Sequence, residues 1–187
     1  MAAQATTRRF QIQLSNVDTG LYTTLDLYVA QHPSETQRYL LARVIAYCFL
    51  SDADSDSVLQ FSKGGLSSPE EPALSRTTLD GRSLLWCEIG TPSAERLHKA
   101  SKAAPRVVVV SHNDPKLLSE RLGKAHIHRK EALELWGLEP RFLDELALAT
   151  NTRTSELELT IAERQLYVNV AGASLCGALS PISLTDD

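Results

Sequence analysis

The 187 residues carry 23 acids against 19 lysines and arginines, a formal net charge of −4, with 43% hydrophobic and 22% charged residues. A chain of this length suits one domain that buries its core without disulfides, and the acidic balance argues against a dedicated non-specific nucleic-acid coat. Cys48, Cys87 and Cys176 are odd in number and widely spaced, with no CxxC pair, which excludes a disulfide framework or zinc ribbon and suits reduced thiols.

The opening residues, MAAQATTRRF, have no apolar core after their basic pair, so no secretory leader is expected. The apolar cluster Tyr39 to Leu50 is interrupted by Arg43 and falls short of the ~18 residues of a membrane span. A cytoplasmic protein with no membrane partner is the expectation. One basic stretch stands out: Arg121 to Lys130 holds Arg121, Lys124, Arg129, Lys130, His126 and His128 with no acid inside. A solvated edge and loop is its plainest reading.

Residues 8–16 alternate polar and apolar, with Phe10, Ile12 and Leu14 on one face, and 21–30 alternate again after a Val17–Gly20 turn. This pattern predicts an N-terminal antiparallel hairpin. Pro33 disfavours helix at His32, and Ser34 with Gln37 has capping-box spacing. A helix is predicted from there to about Leu50, burying Leu40, Leu41, Val44, Ile45 and Cys48. The acidic loop 51–57 lacks the glycine and closing glutamate of an EF-hand.

A short strand follows at 58–61, then an irregular Gly/Ser/Pro-rich loop over 62–76. Residues 83–89 read as a strand, 91–103 as a helix, and the β-branched run 106–110 as a strand buried on both faces, together a right-handed βαβ unit. Beyond it the pattern predicts a helix near 115–122, a short strand near 125–128, and small helices near 129–136 and 140–148. Strands at 154–162 and 165–170 form a tight hairpin, and a loose tail follows Gly177, covering residues 178–187 of the single 1–187 domain.

Glu88 is the residue that demands an explanation. Alternation in the 83–89 strand puts it on one face with Leu84 and Trp86, beside Cys87 and Ile89 on the other. A carboxylate in that setting must pair, protonate or hold a cation. The plainer alternative is a strand-end acid neutralised by Arg82 or Arg96; the functional one is that ligand sites of open α/β sheets lie at strand carboxyl ends. Asp80, Glu35 and Glu71 are the acids that could join it, and two or three such oxygens suit magnesium or manganese. Each also has an ordinary reading: Asp80 in an Asp-Gly turn, Glu35 at a helix N-terminus, Glu71 in a loop. Arg96, Lys99 and Lys102 form a cationic row on the following helix, able to face a substrate phosphate or simply solvent. No GxGxxG, GxxxxGK[ST] or GxSxG element is present. His126 and His128 share a face but lack a partner helix of HExxH type.

The blocks His32-Pro33-Ser34-Glu35-Thr36-Gln37, Leu59-Gln60-Phe61, Glu71-Pro72 and Leu85-Trp86-Cys87-Glu88-Ile89-Gly90, followed by Pro92, Arg96 and Lys99-Ala100, resemble the YaeQ family of bacterial proteins. The likeness runs to about residue 110 and more weakly to about 170. It implies an α/β fold of mixed α+β type, with a restriction-endonuclease-like core like that of PD-(D/E)XK nucleases: a central mixed sheet flanked by helices, with an N-terminal and a C-terminal hairpin. By that resemblance Glu35 is the helix acid, Glu88 the central strand acid and Asp80 the first strand acid, together holding Mg2+ or Mn2+. The motif lysine belongs two residues after Glu88, where Gly90 stands, so Lys99 or Lys63 would have to replace it. Three readings are therefore expected in competition: a metal-dependent nuclease or phosphodiesterase using Glu35, Asp80, Glu88 and Lys99; a degenerate nuclease-like scaffold that binds nucleic acid or a protein partner; and an ordinary interaction domain with Glu88 in a structural salt bridge. The resemblance fixes no activity between them.

Overall fold

The structure is a computed structural model that describes residues 5–54, 56–62 and 71–184; the candidate Lys63 lies outside them. Its first two strands, β1 (Thr6–Asn16) and β2 (Leu21–Gln31), form the expected hairpin. Helix α1 (Gln37–Leu50) follows. Then come β3 (Ser57–Phe61), β4 (Leu74–Thr78) and β5 (Ser83–Ile89), an antiparallel meander. Helix α2 (Ala94–Ala103) crosses over to β6 (Arg106–Ser111), which runs parallel to β5. The rest is α3 (Pro115–Gly123), β7 (Leu133–Leu138), α4 (Pro140–Ala149), β8 (Thr154–Ala162), β9 (Gln165–Val170) and β10 (Ala173–Pro181).

All ten strands join one mixed sheet in the order β2-β1-β8-β9-β10-β7-β6-β5-β4-β3. β1 pairs parallel to β8, so the N-terminal hairpin closes onto the C-terminal strands. β10 stitches the two halves together: residues 173–178 pair with β9 and 179–181 with β7. The sheet curls around α1, whose residues 40–46 are all buried, in one continuous core with α4 and the inward faces of most strands. A helix covered all round belongs inside a fold, not on its surface. On the other face of β5–β7, α2 and α3 pack through Leu97, Ala100, Leu118 and Leu122 onto Trp86, Val107 and Val109.

Several expectations need correction. The first helix starts at Gln37 with Thr36 as its N-cap, not at Ser34, because the Thr36 hydroxyl accepts the Tyr39 amide while Glu35 folds back to the His32 amide. Of the expected 62–76 loop, residues 63–70 lie outside the described residues, and Leu74–Thr78 is strand β4. Residues 125–128 are not a strand, and Leu133–Leu138 is a strand where a helix was expected, preceded by a single 3-10 turn. The segment after Gly177 is not loose up to Pro181, because it completes β10. Gly177 is required there: a Cβ would lie 2.4 Å from Cγ of Phe142, so the absent side chain lets α4 seat on β10.

Candidate functional site

Glu88 stands near the carboxyl end of β5 and is 2% exposed. Strand alternation sends Leu85, Cys87 and Ile89 into the core around α1, and puts Trp86 and Glu88 under α2. One carboxylate oxygen, Oε1, accepts the Trp86 indole N–H at 2.6 Å and the Arg96 Nε–H at 2.7 Å. Arg96 reaches onward to the Glu71 carbonyl at 2.7 Å. Burial pushes the Glu88 carboxyl above its ordinary pKa, against the pull of Trp86 and Arg96. The acid is thus paired by Arg96, one of the two arginines weighed from sequence.

Glu35 has the same solution in a different place. Its carboxylate and the Arg43 guanidinium are both fully buried, with Arg43 Nε 2.9 Å and Nη2 2.7 Å from Oε1. The other oxygen, Oε2, accepts the His32 amide at 3.0 Å. Arg43 also donates to the Ala30 carbonyl at 2.7 Å and lies near the Tyr39 and Phe61 rings. Burial raises the Glu35 pKa, opposed first by Arg43.

These two acids lie on opposite faces of the sheet, Glu35 inside the curl with α1 and Glu88 beneath α2. Asp80 is elsewhere again. It sits in the exposed β4–β5 turn, bonded to the Thr78 hydroxyl and to Arg82 Nε at 3.1 Å, and these two partners hold its carboxyl below the usual range. It lies beyond the opposite end of β5 from Glu88: the strand alone, from Ser83 to Glu88, spans roughly 17 Å at ~3.3 Å per residue. Lys99 pairs with Glu95 one helical turn back at 3.4 Å, and Lys102 is exposed beyond it. The structure therefore joins Glu88 with Arg96, and does not bring Glu35, Asp80 and Glu88 together. Among the described residues no group of three or more His, Cys, Asp or Glu side chains is placed to hold a metal ion. A hard divalent ion needs several converging oxygens, so the expected acids do not fit a shared Mg2+ or Mn2+.

Gly90, where the motif lysine would stand, has φ +91°. That conformation suits glycine and strains a side-chain-bearing residue. The backbone at position 90 is therefore shaped for glycine and not for a lysine.

A different cluster emerges at the far end of α2. His98 meets His126 and His128 at ring-centroid distances of 5.9 and 6.5 Å. His98 Nδ1 accepts the His128 amide at 3.2 Å. Burial, then Lys102 and the two other histidines, lower the His98 pKa. Arg129 caps α2 by donating to the Ser101 and Ala104 carbonyls at 2.6 and 2.9 Å, a favourable place for a cation at a helix C-terminus. With exposed Lys102 and Lys124 this makes a basic face on an acidic protein. The sequence flagged the 121–130 stretch; the contribution of His98 appears only once α2 is laid beside it.

The fold and this geometry define a mixed α/β protein with a curled ten-stranded sheet and an arginine-capped acid near the carboxyl end of β5, the strand that runs parallel to β6 on one side and antiparallel to β4 on the other. The chain belongs to the YaeQ family: the family model for YaeQ protein matches residues 1–177. The YaeQ protein of Escherichia coli (strain K12) is 26% identical over 170 residues, 90% of this chain and 91% of that one. That of Salmonella typhi is 29% identical over 184 residues, 94% of each chain. Among solved structures, YaeQ from Pseudomonas syringae superposes with a TM-score of 0.83 at 26% identity over 98% of both chains. YaeQ from Xanthomonas axonopodis pv. citri gives 0.81 at 28% identity, over 95% of this chain and 97% of that one. Among the described residues no helix is long and apolar enough to cross a membrane.

Proposed function

We propose that the chain is a nuclease-like scaffold without catalysis, which binds the phosphate backbone of nucleic acid through the basic face of α2 and the 124–129 segment. The observation that carries this reading is that Glu35 and Glu88, on opposite faces of the sheet, are each paired with an arginine of their own. The order α1, β3, β4, β5, α2, β6, with a meander followed by a parallel strand, is the helix, three strands, helix and strand expected of a restriction-endonuclease-like core, and supports the nuclease-like part of the reading. Gly90 and the capped Glu88 support the loss of chemistry. Lys102, Lys124 and Arg129 support a phosphate contact, since neutralised phosphates release counterions and provide affinity without base readout.

Fluorescence anisotropy with labelled single-stranded DNA, duplex DNA and RNA oligonucleotides tests it. Binding that weakens steeply with salt, and by about tenfold or more in a Lys102→Glu, Lys124→Glu double variant, is expected; Glu88→Gln should bind as the native chain does. Equal affinity of the double variant would mean that the basic face does not hold the phosphates. Mg2+- or Mn2+-dependent cleavage lost in Glu88→Gln would replace the scaffold with a nuclease that first frees Glu88 from Arg96.

A further inference from the structure

The ten-stranded sheet curls far enough that its two edge strands, β2 and β3, line one opening without hydrogen bonding to each other. That opening has a volume of about 410 Å³. Leu21 and Leu25 of β2, Tyr47 of α1 and Leu59 of β3 give it an apolar floor, and Asp52, Asp54 and Arg76 stand at its rim. The inward face of β2 is buried at Leu27 and Val29 but only partly covered at Leu21 and Leu25, and Thr23 is exposed. The core cover therefore ends where the opening begins.

Both edges direct backbone groups into this space. The Ala30 carbonyl accepts from Arg43 of α1, away from β1. The β1–β2 register is unbroken, so residues of the same parity, Tyr22 and Thr24 among them, also present their N–H and C=O groups to the free edge. On β3 the Leu59 carbonyl takes the Tyr47 hydroxyl at 3.3 Å, while Ser62 donates to Ala73 on the opposite side. Odd residues of β3 thus face the opening, and the only bond from α1 to this stretch is one long hydroxyl contact among the described residues.

We propose that this opening binds an extended segment of a partner protein, which adds a strand to β2, β3 or both. Unpaired strand edges are templates for such addition, main-chain bonds giving affinity and alternate side chains specificity. The floor calls for an apolar residue at every second position. The rim carries two aspartates against one arginine, and Asp56 is exposed close by, so the complementary segment is cationic at its ends.

The probe is a synthetic octapeptide alternating valine with threonine and lysine, added to the full chain and followed by amide hydrogen exchange. Slowed exchange at Thr24 and Leu59, absent with the same peptide N-methylated at alternate amides, is the expected result. Asp54→Lys should weaken binding several-fold. Thr24→Pro, which removes an N–H from the free edge and leaves the β1 pairing bonds in place, should abolish the protection of Thr24's neighbours. If Thr24→Pro fails to fold, Asp54→Lys and the N-methylated peptide still decide. No protection at either edge, equal protection by the N-methylated peptide, or concentration-dependent protection of β2 without peptide, the mark of edge-to-edge pairing of two copies, would each overturn the proposal.

Discussion

Glu88 and Arg96 are eight residues apart in sequence and 2.7 Å apart in space, joined across the step from β5 to α2. The glutamate side chain is 3% exposed and the arginine 19%, so the two partners are not equivalent. Removing the arginine strands a buried carboxylate; removing the glutamate charge leaves a guanidinium that can reach water and still hold the Glu71 carbonyl. Arg96→Ala should therefore destabilise the fold by about 3 kcal/mol, the low end for a broken buried pair, and Glu88→Gln by under about 1 kcal/mol. Urea unfolding of both variants checks the asymmetry; equal losses would contradict it.

The same burial sets a pH dependence. Glu35 and Glu88 both have pKa values raised above the ordinary 4.5, burial being the first cause. A folded-state pKa above the unfolded one means that the native chain holds more protons in that window. The associated stability is full below pH 4.5 and is lost as pH rises through the raised values. Stability measured from pH 4 to 7 should fall less steeply in the Glu35→Gln, Glu88→Gln double variant than in the native chain. An unchanged slope would place these protons elsewhere.

At Gly177 a methyl group would meet Phe142 at 2.4 Å. Gly177→Ala should cost about 1–3 kcal/mol through overpacking. Phe142→Leu, harmful alone, should lose less in the Gly177→Ala background, which a double-mutant cycle of thermal or urea melts will detect.

His98 provides a third handle, with the opposite sign. Its pKa is lowered by burial and by Lys102, His126 and His128, and its neutral Nδ1 accepts the His128 amide. That contribution is present above the ordinary value of 6.5 and is lost as pH falls through the lowered one. Hydrogen exchange at the His128 amide, corrected for its intrinsic pH dependence, should accelerate on acidification in the native chain and be already fast in His98→Ala.

How far the sequence foretold this follows from which forces it records. β8 and β9 were legible residue by residue because apolar and polar positions alternate cleanly from Leu157 to Val170. α1 was legible from its stripe, although its start was misplaced: a Ser34–Gln37 box and a Thr36 cap look alike until Glu35 is known to turn inward. β4 was missed because Ser75, Thr77 and Thr78 give little apolar contrast after Pro72, and β10 because Ala173, Gly177 and Ala178 pack by being small. Of the site, strand alternation set Glu88 among apolar neighbours with either burial or an exposed strand end open to it, and Arg96 of the following helix was one of two arginines in reach. The pairing of Glu35 with Arg43 was not legible, because nothing local says that a helix will be buried on every side. Nor could spacing alone reveal that Glu35, Asp80 and Glu88 would be separated by the thickness and length of the sheet.

In the proposed scaffold Glu88 serves the fold and not a reaction. The most direct test is a single-turnover incubation of labelled DNA and RNA with excess protein in Mg2+ or Mn2+, native chain against Glu88→Gln. Intact substrate is expected with both, with equal binding by anisotropy on the same samples. Cleavage by the native chain that disappears with Glu88→Gln would contradict that role.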